Sequence, residues 1–189
     1  MRIIGGRHRG TKLADLDGDK TRPTADRVRE NLFNILAGGS YGKILHDAHI
    51  IDLFSGTGAL GLEALSRGAK TACFVEKDHK AVSVIRANIA HLKRQDSCLV
   101  ISGNALSLTG IRGDKANLVF ADAPYGTGDG LLAVAHMLNI DALVPDALIV
   151  IETAKTETLD VNLMQKHHMT CHESRAYGKA ALHFLTIAS

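Results

Sequence analysis

Residues 52–61, Asp52-Leu-Phe-Ser-Gly56-Thr-Gly58-Ala-Leu-Gly61, decide the fold. An apolar run, AHIIDLF at 48–54, feeds into them, and a segment of helical periodicity over 58–67 leaves them. Glycines between a strand and a helix permit the tight turn, let a ligand approach the backbone, and leave the N–H groups of the helix start open to it. Gly56, Gly58 and Gly61 spell G-x-G-x-x-G, and Glu76 follows Gly56 by 20 residues, where an acid that holds a ribose belongs. The stretch predicts a nucleotide-cofactor loop at the end of the first strand of a parallel sheet.

Outward from that loop, apolar runs too short for helices alternate with helical patterns. Strands are predicted at 48–54, 70–75, 97–101, 116–121 and 147–152, with helices at 58–67, 78–92 and 128–139, an α/β alternation that builds a mostly parallel sheet. Two further extended pieces, 169–174 and 180–187, meet at Tyr177-Gly178-Lys179 and predict an antiparallel hairpin closing the sheet. Residues 1–44 differ: a Gly-rich basic segment, then a helix over 25–36 after Pro23, capped by Thr24 or Asp26, burying Val28, Leu32, Ile35 and Leu36. The expected division is a basic appendage, 1–44, and a sheet domain, 45–189.

At 189 residues and 46% hydrophobic side chains, the chain has the composition of one ordinary domain. The longest apolar runs, 131–135 and 147–151, fall far short of the roughly 20 residues that cross a bilayer. The first ten residues are basic with no apolar stretch behind them, unlike a secretory signal. Cys73, Cys98 and Cys171 are odd in number and widely spaced, which suits free thiols in a reducing compartment. A cytoplasmic protein with no membrane partner is expected, and nothing demands more than a monomer. The net charge of +2 hides an asymmetry, because residues 1–30 carry +3 and the remainder −1. Arg2, Arg7, Arg9, Arg22, Arg27 and Arg29 cluster at the front as a candidate phosphate footprint.

Asp52 separates two cofactor classes. A carboxylate ahead of the glycines would face the pyrophosphate of a dinucleotide, and like charges in a partly dry cleft repel. S-adenosyl-L-methionine carries a cationic sulfonium and ammonium instead, which an acid favours. The second feature, Asp122-Ala123-Pro124-Tyr125, ends the fourth strand, and in a doubly wound sheet that end lies beside the end of the first. Asp122 and the carbonyl of residue 123 can accept from an amino group while Tyr125 offers a face for stacking a base. Two acceptors that draw the N–H bonds of an exocyclic amine out of plane restore lone-pair density toward a methyl sulfonium. Catalysis is then positioning and electrostatics, with the proton leaving to Asp122 or water.

Together with Glu76 and Gly103-Asn104-Ala105-Leu106, these motifs resemble the S-adenosyl-L-methionine-dependent amino-methyltransferases, whose fourth motif is Asp/Asn-Pro-Pro-Tyr. Arg2-Ile-Ile-Gly-Gly6 with Arg9-Gly10, Arg22-Pro-Thr-Ala-Asp-Arg-Val-Arg-Glu-Asn-Leu-Phe-Asn-Ile-Leu36 and Gly58 to Gly68 resemble, more narrowly, the RsmD family of 16S rRNA guanine-N2 methyltransferases. The resemblance implies a Rossmann-like methyltransferase fold with a seven-stranded sheet. It also implies donor contacts at Asp52, Phe54, Gly56, Gly58, Glu76, Lys77, Asn104 and Ala105, and a guanine held by Asp122, Ala123, Pro124 and Tyr125. The product would be S-adenosyl-L-homocysteine, and the partner 16S rRNA in the small ribosomal subunit, gripped by the front arginines. The chain departs from the pattern at Ala123, where the family has a first proline, and at Asn104, where it more often has Asp. An N6-adenine or protein-glutamine methyltransferase, an NAD-binding protein and a silent RNA-binding module are the competing readings. Lys166-His167-His168-Met-Thr-Cys171-His172-Glu173 looks metal-like, but side chains alternating along a strand do not converge on one ion, so no metal is expected.

Overall fold

The computed structural model describes residues 1–16 and 23–188, and only the backbone of 23–25. Alternating side chains in the short apolar runs face opposite sides of the sheet, as a period of two requires. Ile50, Phe74, Phe120, Val150 and Phe184 enter one apolar cluster, and Ile51, Val75, Val119, Ile149 and Leu185 enter the other. The strands are β1 (His49–Leu53), β2 (Thr71–Glu76), β3 (Cys98–Ser102), β4 (Ala116–Asp122), β5 (Leu143–Ala154), β6 (Met169–Tyr177) and β7 (Ala180–Ile187). They form one sheet in the order β3-β2-β1-β4-β5-β7-β6, with β7 antiparallel to both of its neighbours and the other pairs parallel. The helices are α1 (Pro23–Ala37), α2 (Ala59–Ser66), α3 (His79–His91), α4 (Asp129–Asn139) and α5 (Val161–Lys166).

This order positions the site. The chain steps outward from β1 through β2 to β3, then returns to place β4 against the free side of β1, with Leu53 opposite Ala121. The loops that leave β1 and β4 therefore emerge side by side at the carboxyl edge, where a reversal of strand order opens a crevice.

Several elements differ from the sequence expectation. Helix α1 begins at Pro23, so Asp26 lies in its first turn and pairs with Arg29 rather than capping it; the Thr24 side chain lies outside the described residues. Strand β5 starts at Leu143 instead of 147, with an irregular register opposite Ala116 to Leu118 and Asp146 at φ 59. Pro145 within this stretch argues against a strand, but a break in the ladder accommodates it. Lys166 closes α5, His167 and His168 make the turn after it, and only Met169 onward is strand. The histidine run is thus split between a helix end, a turn and a bulged strand, a correction to its reading as one strand.

The basic front is folded onto the sheet domain. Arg2 bridges Lys12, and Ile3 N–H donates to Thr11 C=O at 3.0 Å, Gly10 N–H to Ile3 C=O at 2.9 Å and Leu13 N–H to Met1 C=O at 3.1 Å, giving a hairpin-like loop. The loop sits on α2. A Cβ on Gly6, at φ +74, would lie 1.9 Å from the Ser66 carbonyl oxygen, so only glycine fits that approach. Glu63, fully buried, accepts from Ile4 N–H at 2.7 Å, Gly5 N–H at 2.8 Å and Arg67 Nε at 2.6 Å. The Arg67 guanidinium in turn covers the Phe33 ring at 5.1 Å. Ile3 and Leu13 join Val28, Leu32, Phe33 and Leu36 of α1 in the same apolar cluster as Ile50 and Phe120, which runs across the expected boundary at residue 44.

Candidate active site

Between β1 and α2 the chain passes through Phe54 at φ 59, Gly56 at φ 55 and Gly58 at φ 78. A Cβ on Gly56 would meet nothing within 4 Å, so conformation, not crowding, calls for glycine there, and the outer side of the loop is open to a ligand. Gly61 serves packing instead, because a Cβ on it would come within 2.5 Å of the Phe74 ring. Glu76, the last residue of β2, accepts from Gly56 N–H through Oε2 and from Asp78 N–H through Oε1, both at 2.9 Å. Each oxygen keeps a further lone pair for a hydroxyl.

Asp52 lies beneath this loop, 1% exposed, with Oδ2 accepting from Gly61 N–H at 2.9 Å. It thereby satisfies one open donor of the α2 start and faces the positive end of that helix. Burial pushes its carboxyl up to about 8 against that hydrogen bond, and the neighbouring Asp122 and Glu76 add to the rise. A carboxyl that titrates higher when folded than the ordinary value near 4 holds its proton more tightly in the folded state. Its ionisation therefore costs no stability below about pH 4, costs progressively more as pH rises, and costs fully above about pH 8. Asp52→Asn, which keeps an oxygen for Gly61, is expected to raise Tm at alkaline pH, by about 2–4 °C for each kcal/mol relieved, and to leave it nearly unchanged in acid. Thermal melts across pH decide this; a gap that does not widen with pH would show that Asp52 ionises without cost.

Asp122 ends β4 in register with Glu152 of β5. Asp122 is exposed and lines an open cleft, and its pKa is driven upward first by desolvation among the surrounding groups and then by the Glu152 charge. Glu152 is raised by burial too, opposed by the hydrogen bond it receives. That bond comes from Tyr125 Oη to Glu152 Oε1 at 2.7 Å; burial foremost, and then this bond, hold the phenol protonated well above its usual range. Gly126 N–H donates to Glu157 Oε2 at 3.0 Å, and Thr127 Oγ1 to Pro124 C=O at 2.8 Å.

Phe54, Glu76, Lys77, Asp122, Ala123, Pro124 and Tyr125 line one open cleft of about 350 Å³. Gly56 reaches it through Glu76, and Asp52 supports it from below. Asn104 and Ala105 stand apart from that lining: Asn104 Oδ1 accepts from Leu106 N–H at 3.0 Å, and Ala105 is buried in the apolar cluster, although Gly103 N–H bonds the Glu76 carbonyl at 2.9 Å. Of the front arginines, Arg2, Arg9 and Arg27 line a second groove of about 580 Å³ with Asp26 and Glu30. Arg7 is exposed outside that lining, and Arg22 lies outside the described residues. Arg29 corrects an expectation. Its guanidinium is only 6% exposed and donates to the Arg2 carbonyl at 2.8 Å and to Asp26 at 3.0 Å, so it ties α1 to the front loop instead of facing an external phosphate.

Glu152 and Glu157 join the site without being marked out by the sequence reading. A signal for Glu152 is present, since an acid ends the apolar run ALIVI at 147–151 just as Asp122 ends the fourth strand. Glu157 has no comparable pattern around it.

Ribosomal RNA small subunit methyltransferase D of Escherichia coli strain K12 is 40% identical over 153 residues, spanning 81% of this chain and 74% of that protein. A family model described as conserved hypothetical protein 95 matches residues 1–186. The chain belongs to the RsmD family. A solved structure, that of the Escherichia coli protein yhhF, superposes on this RsmD chain with a TM-score of 0.81 at 34% identity, covering 100% of this chain and 98% of that one. The wider fold, without closer kinship, recurs in magnesium protoporphyrin IX methyltransferase from Synechocystis, solved with bound S-adenosyl-L-methionine, at a TM-score of 0.68 and 12% identity over 99% of this chain and 88% of that one. The RsmD chain thus has a Rossmann-like α/β methyltransferase fold with a C-terminal antiparallel pair.

Proposed function

We propose that the protein methylates the exocyclic N2 amine of a guanine in 16S rRNA of the small ribosomal subunit, with S-adenosyl-L-methionine as donor. The observation that carries this reading is the meeting, in one cleft, of the Glu76 side of the glycine loop with Asp122 to Tyr125. The donor fits the charge of the site: Glu76 and Asp122 line the cleft, Glu152 adjoins it through Tyr125, and Lys77 is the cation among the described lining residues. A pyrophosphate among those carboxylates would be repelled. When bound, S-adenosyl-L-methionine supplies an electrophilic methyl group and leaves as S-adenosyl-L-homocysteine.

The residues of the chain do the remainder. Gly56 and Gly58 let the donor approach the backbone, Glu76 holds the ribose hydroxyls, and Asn104 borders the adenine. Asp122 and the Ala123 carbonyl accept from the target amine and aim its lone pair, while Tyr125 stacks on the base. An amine that has gained a methyl group is acidic, so its proton passes to Asp122 or to water. The base must leave its helix to reach Asp122, which the open cleft allows.

The decisive experiment is transfer of labelled methyl from S-adenosyl-L-methionine to undermethylated small subunits and to naked rRNA, followed by digestion to nucleosides. Label in N2-methylguanosine is the expected result; label in N6-methyladenosine would move the acceptor, and none would refute the activity. A second expectation concerns the basic groove. Arg9 and Arg27 line it together. Replacing both by Gln should lower the slope of log affinity against log salt by about 0.7–0.9 for each phosphate that is no longer neutralised. An unchanged slope in a filter-binding series would remove the groove from the RNA interface.

A further inference from the structure

The loop that carries Tyr125 is tied within itself at Thr127, whose Oγ1 donates to Pro124 C=O at 2.8 Å and accepts from Asp129 N–H at 3.2 Å, but neither bond reaches the Tyr125 ring. Tyr125 is 48% exposed, so packing does not fix its ring. Gly126 and Gly128 follow at φ 78 and 71, and a Cβ on either would touch nothing within 4 Å. Residue 123 is Ala, so only Pro124 restricts the backbone covalently. Against this, the phenol oxygen of Tyr125 lies 2.7 Å from Glu152 Oε1, and Glu152 sits on a strand paired on both sides, to Asp122 of β4 and Leu182 of β7. A side chain on a rigid element thus holds a side chain on a soft one, and Glu157 holds the next backbone N–H.

We propose that Glu152 is the positioning residue of the methyl-transfer clamp, fixing the Tyr125 ring over the acceptor by taking its hydroxyl hydrogen bond. The role rests on the reading of the cleft as an amino-methyltransferase site. It is one of geometry: the oxygen of Glu152 is required as an acceptor, its charge is not, and Glu152 does not touch the reacting atoms. A stacked base set askew by an ångström loses the aligned approach on which methyl transfer depends.

The test compares Glu152→Leu, Glu152→Gln, Tyr125→Phe and the Glu152→Leu/Tyr125→Phe double variant with the wild-type chain, in labelled-methyl transfer and in calorimetric binding of S-adenosyl-L-methionine. Glu152→Leu should lower kcat on the order of a hundredfold with donor affinity retained. Glu152→Gln, whose amide oxygen still accepts from the phenol, should stay within about tenfold of wild type. Tyr125→Phe should match Glu152→Leu, and the double variant should be no worse than either. Additive losses, a wild-type-like Glu152→Leu or a Glu152→Gln as poor as Glu152→Leu would each overturn the role. A readout without RNA accompanies these. With Tyr41 and Tyr177 replaced by Phe, Tyr125 is the last tyrosine, and Glu152→Leu should move its ionisation, followed by tyrosinate absorbance, to lower pH. An unmoved midpoint in an active enzyme overturns the positioning role alone, whereas a wild-type chain that binds donor but labels no RNA overturns the functional reading and the role together.

Discussion

Asp122→Ala is expected to reduce methyl transfer on the order of 10³-fold while the dissociation constant for S-adenosyl-L-methionine changes little. The split follows from where the groups stand. The donor loop is anchored by Glu76 and Asp52, neither of which bonds Asp122, and Asp122 ends a different strand, opposite Glu152. On the proposed reading of the cleft, its loss removes the acceptor that orients the amine and takes up its proton, leaving the Ala123 carbonyl as the remaining partner. Asp122→Asn, which retains an acceptor oxygen but not the base, should fall between wild type and Ala. Turnover in single-cycle assays, set beside calorimetric donor binding, measures the split. An equal loss in both would place Asp122 in the donor site and sink its assignment to the acceptor.

The largest expected effect on stability is at Glu63. Glu63→Ala would strip partners from the N–H groups of Ile4 and Gly5 and from the Arg67 guanidinium, all gathered on one fully buried carboxylate. Breaking a buried pair by deleting one member costs about 3–5 kcal/mol, because the other charge is left without compensation. In a chain of this size that lowers Tm by roughly 6–20 °C. Glu63→Gln, which keeps an acceptor, should cost less. Chemical denaturation gives the number, and a loss under about 1 kcal/mol would show that water replaces the carboxylate at little cost.

How far the sequence is legible depends on the scale of the interaction. The inner strands β1, β2 and β4 announce themselves because a strand buried on both faces must be apolar throughout. The site loops are legible for a related reason: a tight strand-to-helix turn needs glycine at positive φ, and an acid closing an otherwise apolar strand stands out whether it bonds loop N–H groups, as Asp52 and Glu76 do, or lines the cleft, as Asp122 does. Helix α5 escapes a reading of periodicity because six residues, fewer than two turns, carry little of it. Its start is written only in Asp160, whose carboxylate accepts from Asn162 and Leu163 N–H. The arginines mark the limit. Arg27 and Arg29 are alike in a sequence, yet one lines the groove and the other is buried against the Arg2 carbonyl, because helix position and the docking of a distant loop decide which charge sees solvent. Glu63 is hidden likewise: its pairing with Arg67 one helical turn on reads as an ordinary surface pair, while the backbone partners that bury it lie 58 and 59 residues away.

The place of β7 has a consequence for how the chain is born. β7 is made after β6 but lies inside it, and among the described residues β6 pairs with no other strand. During synthesis β6 therefore emerges before the strand that holds it, and the growing protein waits with the flank of β5 bare. That flank, with Ile149 and Ile151 along it, is an open template for another nascent chain. The sheet closes when the last strand slides in against β5 and gives β6 an edge to join. A polypeptide halted before Ala180 should accordingly be sticky rather than merely incomplete, and crowded polysomes are where that would be felt.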